Sequence, residues 1–226
     1  MLPRSHIALP VTLSLIALTT AASAVDQAGE AARAGAPTSP GSAMTLQEGT
    51  TLASVATVTY GHPKFATFLA RLNGIPDPDH LASGTLLKTP PLADGLKDAG
   101  LAPPYQEAVR SLAKAWSDFH TASPAYWKAR EASGIVSGKF AIPADLSATF
   151  SSAADAVEAA VKILSHPAPG HQAPQKTIGQ LNQCISPLRM LATGAVDGYG
   201  YDHDMVGQRF ALAFTGLLVW AQERHQ

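Results

Sequence analysis

The chain has 226 residues, of which 46% are hydrophobic, and its formal net charge at pH 7 is -1. This length and composition are typical of a globular protein with one or two domains. The near-neutral charge and the lack of a long Lys or Arg run argue against nucleic acid or an anionic membrane as the main partner. Cys184 is the single cysteine, so no disulfide forms within the chain, and we expect its thiol to be buried.

Residues 1–24 have the layout of a secretory signal peptide. Arg4 precedes a short apolar run from Ile7 to Leu18, and the small residues before Val25 fit a cleavage site. The apolar run is shorter than the ~20 residues that a membrane span needs. A buried N-terminal helix is the less favoured alternative, because a proline interrupts the run. The sequence predicts an exported protein with no transmembrane segment in the mature chain.

Three regions follow the predicted signal peptide. Residues 25–42 are rich in Ala, Gly, Pro and Ser and carry no apolar stripe, which predicts a flexible linker. Residues 43–92 form a compact unit in which short apolar patterns alternate with turn residues. After a connector from Ala93 to Pro103, residues 103–226 show helical periodicity to the end of the chain.

The unit over residues 43–92 has a pattern that predicts the element order β-α-α-β. Thr50 or Thr51 is placed to cap the first helix, since either hydroxyl can accept a hydrogen bond from a free amide of the first turn. The predicted elements are a strand from Met44 to Gln47, a helix from Leu52 to Tyr60, a helix from Phe65 to Leu72, and a strand from Thr85 to Thr89.

The same unit carries a spaced set of residues in a fixed order. They are Leu46-Gln47-Glu48-Gly49-Thr50-Thr51-Leu52, Val55-Ala56, Tyr60-Gly61, Asn73-Gly74-Ile75, Pro78-Asp79, Leu81, Gly84, Leu87 and Pro90. In this pattern the unit resembles the lysin motif, or LysM, a small module that binds glycans containing N-acetylglucosamine. Thr50 stands where that family usually has Asp.

The resemblance to LysM implies an α+β module with a two-stranded antiparallel sheet and a shallow glycan-binding groove between two loops. The residues that it assigns to the groove are Gly49, Thr50, Thr51, Leu52, Gly74, Ile75, Pro76 and Asp77. Exposed loop amides and carbonyls would pair with the acetamide, and Leu52 and Ile75 would receive its methyl group. Two alternatives stay open: the prolines only brace a turn, or the module has lost its ligand and serves as a structural cap.

The helical periodicity over residues 103–226 predicts an all-α antiparallel bundle, because each apolar stripe must be buried against another. Pro124 is expected to break or kink the first helix. The stripes begin at Tyr105, Leu146, Ile178 and Val206, and the predicted core anchors are Trp116, Trp127 and Trp220.

No recognised catalytic motif occurs in the helical region, so no catalytic residue is assigned and no cofactor is predicted. Its isolated glutamates (Glu107, Glu131, Glu158 and Glu223) are expected on solvated helix faces. A cluster of possible ligands suggests a divalent metal as a minor alternative: His120, Asp202, His203 and Asp204. A simpler interpretation makes Asp202 or Asp204 a helix N-cap and leaves His203 exposed. Tyr199 and Tyr201 would either stack on sugar rings or pack inside.

The sequence therefore predicts an exported bacterial envelope protein, periplasmic or secreted. A single LysM-like module would bind peptidoglycan or another N-acetylglucosamine glycan, and the helical domain would bind or scaffold an unidentified partner. One module with two short loops should bind weakly, because only linked copies gain avidity. The alternative is a cell-wall glycan hydrolase or modifying enzyme whose helical domain is catalytic.

Overall fold

The computed structural model describes residues 41–77, 81–166, 173–196 and 201–224. Those residues form seven α-helices, one 3-10 turn and two two-stranded antiparallel sheets. In chain order the elements are β1 Ser42–Thr45, α1 Leu52–Tyr60, the 3-10 turn Pro63–Phe65, α2 Ala66–Leu72, β2 Leu86–Thr89, α3 Leu92–Asp98, α4 Pro103–Ser133, β3 Gly138–Lys139, α5 Ala144–Ser165, α6 Gln175–Ala192, β4 Ala195–Val196 and α7 Tyr201–Glu223.

Several predicted features lie outside the described residues. They are the signal peptide, the linker up to residue 40, Pro78, Asp79 and Tyr199, together with the side chains of Tyr201 and Asp202. Among the helices that the structure describes, none is long and apolar enough to span a membrane.

The first unit has the predicted order β-α-α-β. β1 pairs antiparallel with β2, and Ser42 lies opposite Thr89. β1 begins two residues before the predicted Met44 and ends at Thr45, two residues before the predicted Gln47.

Side-chain hydrogen bonds fix both ends of the helical pair. Thr51, rather than Thr50, is the N-cap of α1: its hydroxyl accepts the Ser54 amide, and the Ser54 hydroxyl oxygen accepts the Thr51 amide. At the end of α2, the Asn73 side-chain amide donates to the Lys88 carbonyl, and its oxygen accepts the Lys88 amide at 2.7 Å. This amide side chain therefore joins the helical pair to β2.

Helices α4 to α7 pack as an antiparallel bundle, as predicted. Tyr105 near the start of α4 contacts Trp220 near the end of α7, with ring centroids 5.1 Å apart, and Phe119 further along α4 contacts His203 at the start of α7. Neighbouring helices run in opposite directions too, since the Ser147 hydroxyl early in α5 donates to a carbonyl at the end of α6. The Cys184 thiol is buried as expected, and burial raises its pKa to about 12.

Four expectations about the helical region were wrong. The break expected at Pro124 does not occur, because α4 continues past it as a 31-residue helix in which the missing proline amide costs one hydrogen bond. Trp127 is 39% exposed, because adjacent helix positions cannot both face the core and Tyr126 occupies the inward one. The connector predicted from Ala93 to Pro103 contains α3, and a short β3–β4 pair was missed.

The two units share one continuous hydrophobic core. Phe65 from the 3-10 turn is fully buried and contacts Trp116 of α4 and Phe214 of α7, with ring centroids 5.5 and 6.1 Å apart. The Trp116 indole N–H donates to the Tyr60 carbonyl at 2.8 Å. The β-α-α-β unit thus fills the space between α4 and α7, and the bundle holds its loops in place.

Candidate functional site

The loop after β1 forms one wall of an open cavity of about 660 Å³, which we call the first cavity. All four predicted residues from Gly49 to Leu52 line it, and Lys64, Thr67 and Leu81 lie across from them. Leu52 is 1% exposed, its backbone included. It therefore belongs to the core and cannot receive a ligand methyl group, which corrects the role expected for it. Leu81 is a partly exposed apolar residue that lines this cavity.

The loop after α2 lines a neighbouring, larger cavity of about 940 Å³, the second cavity. Of the four residues predicted there, Gly74, Ile75 and Pro76 line it, while exposed Asp77 lines neither cavity. Thr67 of α2 lines both cavities. The structure thus places the two predicted loop sets in adjacent cavities that meet at Thr67.

Most predicted loop amides already have partners inside the protein. The amides of Thr50 and Thr51 bond to Gln47 and Ser54, and those of Gly74 and Ile75 bond back to α2. These four amides are therefore not available to pair with an acetamide, contrary to the expectation, because tight turns satisfy their own donors. In the part of the chain that the structure describes, the amides of Gly49, Leu52 and Ala53 have no hydrogen-bond partner, and all three residues line the first cavity.

The first cavity combines groups that suit an acetamido sugar. The amides of Gly49 and Ala53 are free donors on exposed residues, and the Ala53 amide is an orphan donor of the first turn of α1. The Thr50 and Thr67 side chains supply hydroxyls, and Leu81 supplies apolar surface. An N-acetylated pyranose presents the complementary acceptors, hydroxyls and methyl group, and orienting polar groups around apolar surface are typical of small-molecule sites.

Three histidines gather where the β-α-α-β unit meets the bundle. His62 caps the 3-10 turn: its Nδ1 accepts the Lys64 amide, and its Nε2 lies 3.4 Å from an Asp204 carboxylate oxygen. Because Nδ1 is an acceptor, the ring is neutral and Nε2–H donates to Asp204. Sequence reasoning missed His62, although a histidine directly before Pro63 at a helix start is a recognisable capping position.

The other two histidines lie on α4 and α7. His120 stacks on Trp116, with centroids 6.0 Å apart. His203 packs against Phe119 and Tyr126, and its Nε2 lies 2.8 Å from the Ser123 hydroxyl oxygen. His203 is therefore partly buried, not exposed as expected.

Burial keeps these histidines neutral. Burial lowers the pKa of His203 to about 4, and the neighbouring histidines and Arg130 act in the same direction, while Asp204 opposes it. Burial also lowers the pKa of His62 and of His120. The three imidazoles form a structural junction in which His203 is packed against aromatic rings, so charging it would require its rehydration, whereas His120 is exposed.

A metal site is not formed by the residues that the structure describes, because no three His, Cys, Asp or Glu side chains come together there to hold an ion. His120 and His203 do lie at the same end of the bundle, as predicted, but Asp204 pairs with His62 instead. α7 begins at Tyr201, which places Asp204 inside its first turn and rules out the N-cap role suggested for it.

Ser123 and His203 do not form a nucleophile and base. The Ser123 hydroxyl donates to the Phe119 carbonyl at 2.8 Å, so its oxygen accepts from His203 rather than giving up a proton. Ser123 is also only 8% exposed. The glutamates lie on accessible faces as expected, although Glu158 is half-buried and pairs with Arg189.

No protein-family model, no curated protein and no solved structure matches the chain. The function is therefore inferred from the residues of the chain and their geometry.

Proposed function

We propose that the protein binds a glycan containing N-acetylglucosamine, with peptidoglycan as its natural form, through the first cavity. The observation that carries the proposal is that the amides of Gly49 and Ala53 have no hydrogen-bond partner in the described residues, while both residues are exposed and line a cavity beside an apolar side chain. The β-α-α-β order and the LysM-like residue pattern agree with this proposal.

The physical argument concerns hydrogen bonds that the protein leaves unmade. An amide donor in a shallow cavity is solvated in the free protein, so exchanging its water for a sugar carbonyl yields only about 0.5–1.5 kcal/mol. Two such donors, at Gly49 and Ala53, with a small apolar contact predict weak binding to one site. Weak binding suffices for an exported protein that stays near an abundant polymer, which is the role in the cell envelope that we propose.

The bundle has a supporting role in this proposal. Trp116 bonds to Tyr60, and Phe65 packs against two helices, so the bundle fixes the scaffold from which the cavity loops project. A preformed site loses less conformational entropy on binding than a mobile loop does. We propose in addition that the bundle binds a protein partner through its surface.

Cosedimentation with insoluble peptidoglycan tests the proposal. Ala53 is exposed and lines the first cavity, so Ala53→Leu fills space there while keeping a good helix former. Ala148→Leu makes the same change at an exposed position of α5. We expect Ala53→Leu to bind about tenfold more weakly than the parent, equivalent to 1.4 kcal/mol, and Ala148→Leu to bind like the parent.

Two results would reject the proposal or extend it. Equal retention of both leucine variants and the parent would exclude the first cavity as the binding site. Release of soluble sugar fragments from the pelleted glycan would show instead the alternative predicted from the sequence, a hydrolase or modifying enzyme.

A further inference from the structure

We infer that the glycan site does not end at the first cavity but continues across Thr67 into the second cavity, where the helical region contributes a second sugar subsite. This inference rests on the proposed function, and it names the ligand more closely: an extended N-acetylated oligosaccharide rather than a single terminal sugar. The shared lining residue Thr67, which is exposed, joins the two cavities over the surface of α2.

The second cavity is built from both units of the protein. α2 and its following loop supply Arg71 and Ile75, the end of α3 supplies Asp98, and the end of α7 supplies Gln222. The Gln222 side-chain amide reaches the Arg71 carbonyl at 3.4 Å, which places α7 against the end of α2. A β-α-α-β unit on its own would therefore lack one side of this cavity.

The walls of the second cavity are held in fixed positions. α3 packs closely on α2, since a Cβ placed on Gly95 would lie 3.4 Å from the Phe68 ring. Leu96 of α3 is fully buried in the shared core. The Asp98 carboxylate at the end of α3 is therefore positioned by packing and not by a mobile loop.

The lining of the second cavity suits a sugar. Neither the Arg71 guanidinium nor the Asp98 carboxylate has an ion-pair or hydrogen-bond partner in the described ranges, and both residues are exposed. Charged donors and acceptors that face a cavity can bond sugar hydroxyls, and such charge-assisted bonds are the stronger kind. Ala70, Ile75 and Pro76 add apolar surface for a sugar face.

A titration with oligosaccharides of increasing length tests the inference on the mature chain, residues 25–226. Chitobiose, chitotetraose and chitohexaose are compared by calorimetry for the parent and for Gln222→Ala. We expect Gln222→Ala to bind chitohexaose about 2- to 10-fold more weakly, the range for one lost hydrogen bond, and to bind chitobiose like the parent. The matched control is Glu223→Ala, because Glu223 is the next residue of α7 and lines neither of the two cavities.

A second variant shows whether Gln222→Ala weakens binding only because it disturbs the packing of α7. Asp98→Ala changes the opposite wall and should weaken chitohexaose binding by a similar factor, whereas Asp94→Ala on the same short helix should not. A longer oligomer binds more tightly even to a single subsite, because it offers more sugar units that can occupy it. That increase is the same for the parent and the variants, so a loss of chitohexaose affinity in the variants alone indicates a second subsite.

The outcomes distinguish the two proposals. Binding of all three oligomers with no effect of Gln222→Ala or Asp98→Ala on chitohexaose would overturn the second subsite and leave the first cavity in place. A lack of binding by every oligomer would overturn the proposed function and this inference together.

Discussion

Thr50 and Thr51 are adjacent threonines with different environments. The Thr51 hydroxyl is committed to capping α1, and its amide bonds to Ser54. The Thr50 amide is used in a turn, while its side chain lines the first cavity. Thr50 is therefore the residue of this pair that is placed to meet a ligand.

Replacing Thr50 by Asp should strengthen glycan binding. A carboxylate at this position accepts hydrogen bonds from sugar hydroxyls more strongly than a threonine hydroxyl does, so we expect affinity for chitotetraose to rise about 2- to 10-fold. The carboxylate near the start of α1 should also stabilise the fold by about 0.3–1 kcal/mol. Calorimetry and chemical denaturation measure the two effects.

The neutral variant Thr50→Asn is the matched control for charge. Its affinity should stay close to that of the parent, since it adds an amide of similar shape. An unchanged or weaker affinity for Thr50→Asp would show that Thr50 does not face the sugar.

His203 predicts acid sensitivity of the fold. Its pKa is about 4 in the folded protein, against about 6.5 when unfolded, so the unfolded chain binds more protons between those values. The stabilisation is complete above pH 6.5 and is lost as the pH falls towards 4. At 1.36 kcal/mol for each pKa unit, the loss from His203 amounts to about 3 kcal/mol. Denaturation measured from pH 7 to pH 4 should show this fall.

The variant His203→Phe tests whether His203 causes the acid sensitivity. The phenyl ring keeps the packing on Phe119 and Tyr126 but loses the contact with Ser123, so the variant should be about 1 kcal/mol less stable at pH 7. Its stability should fall less steeply with acid, and it should become more stable than the parent near pH 4. Parallel pH profiles for parent and variant would contradict this account.

At the scale of elements, the 3-10 turn joins the two units. Phe65 is fully buried among aromatic residues of α1, α4 and α7. Phe65→Ala should lower the free energy of unfolding by about 3–5 kcal/mol, because a large cavity would open at the junction. Chemical denaturation followed by circular dichroism measures the loss.

Leu86→Ala is the matched control for Phe65→Ala. Leu86 of β2 is 64% exposed, so its truncation should change stability by no more than about 0.5 kcal/mol. A loss of less than about 1 kcal/mol for Phe65→Ala would show that the junction is loosely packed.

Long helices were predictable from the sequence, and the short elements outside the β-α-α-β unit were not. The apolar steps from Tyr105 predicted α4, because a long stripe leaves few alternatives, but the break expected at Pro124 was wrong. α3 was missed because seven residues after two prolines give too little periodicity to recognise. Each strand of the β3–β4 pair has two residues, which is too short for any alternating pattern.

The candidate site was predictable in its residues but not in its arrangement. Seven of the eight predicted residues line one of two adjacent cavities. Turn hydrogen bonds decide which loop amides are free. The packing of the β-α-α-β unit against the bundle decides that Gln222 completes a wall of the second cavity. Neither property is encoded in local sequence patterns, because packing partners are set by tertiary contacts.

At the scale of the whole molecule, the shared core predicts cooperative unfolding. Trp116 and Phe214 of the bundle contact Phe65, so loss of the bundle would expose the aromatic face of the β-α-α-β unit. We expect a single denaturation transition, in which amide resonances of β2 and of α5 disappear at the same denaturant concentration. Earlier loss of the β2 resonances would show that the small unit unfolds independently.

The central claim is that free amides of the first cavity bind an N-acetylated sugar, and an NMR titration of residues 25–226 with chitotetraose tests it most directly. The account predicts that the amide resonances of Gly49 and Ala53 shift in a saturable way, while those of α5 stay in place. Unmoved resonances at Gly49 and Ala53 at millimolar sugar would contradict it.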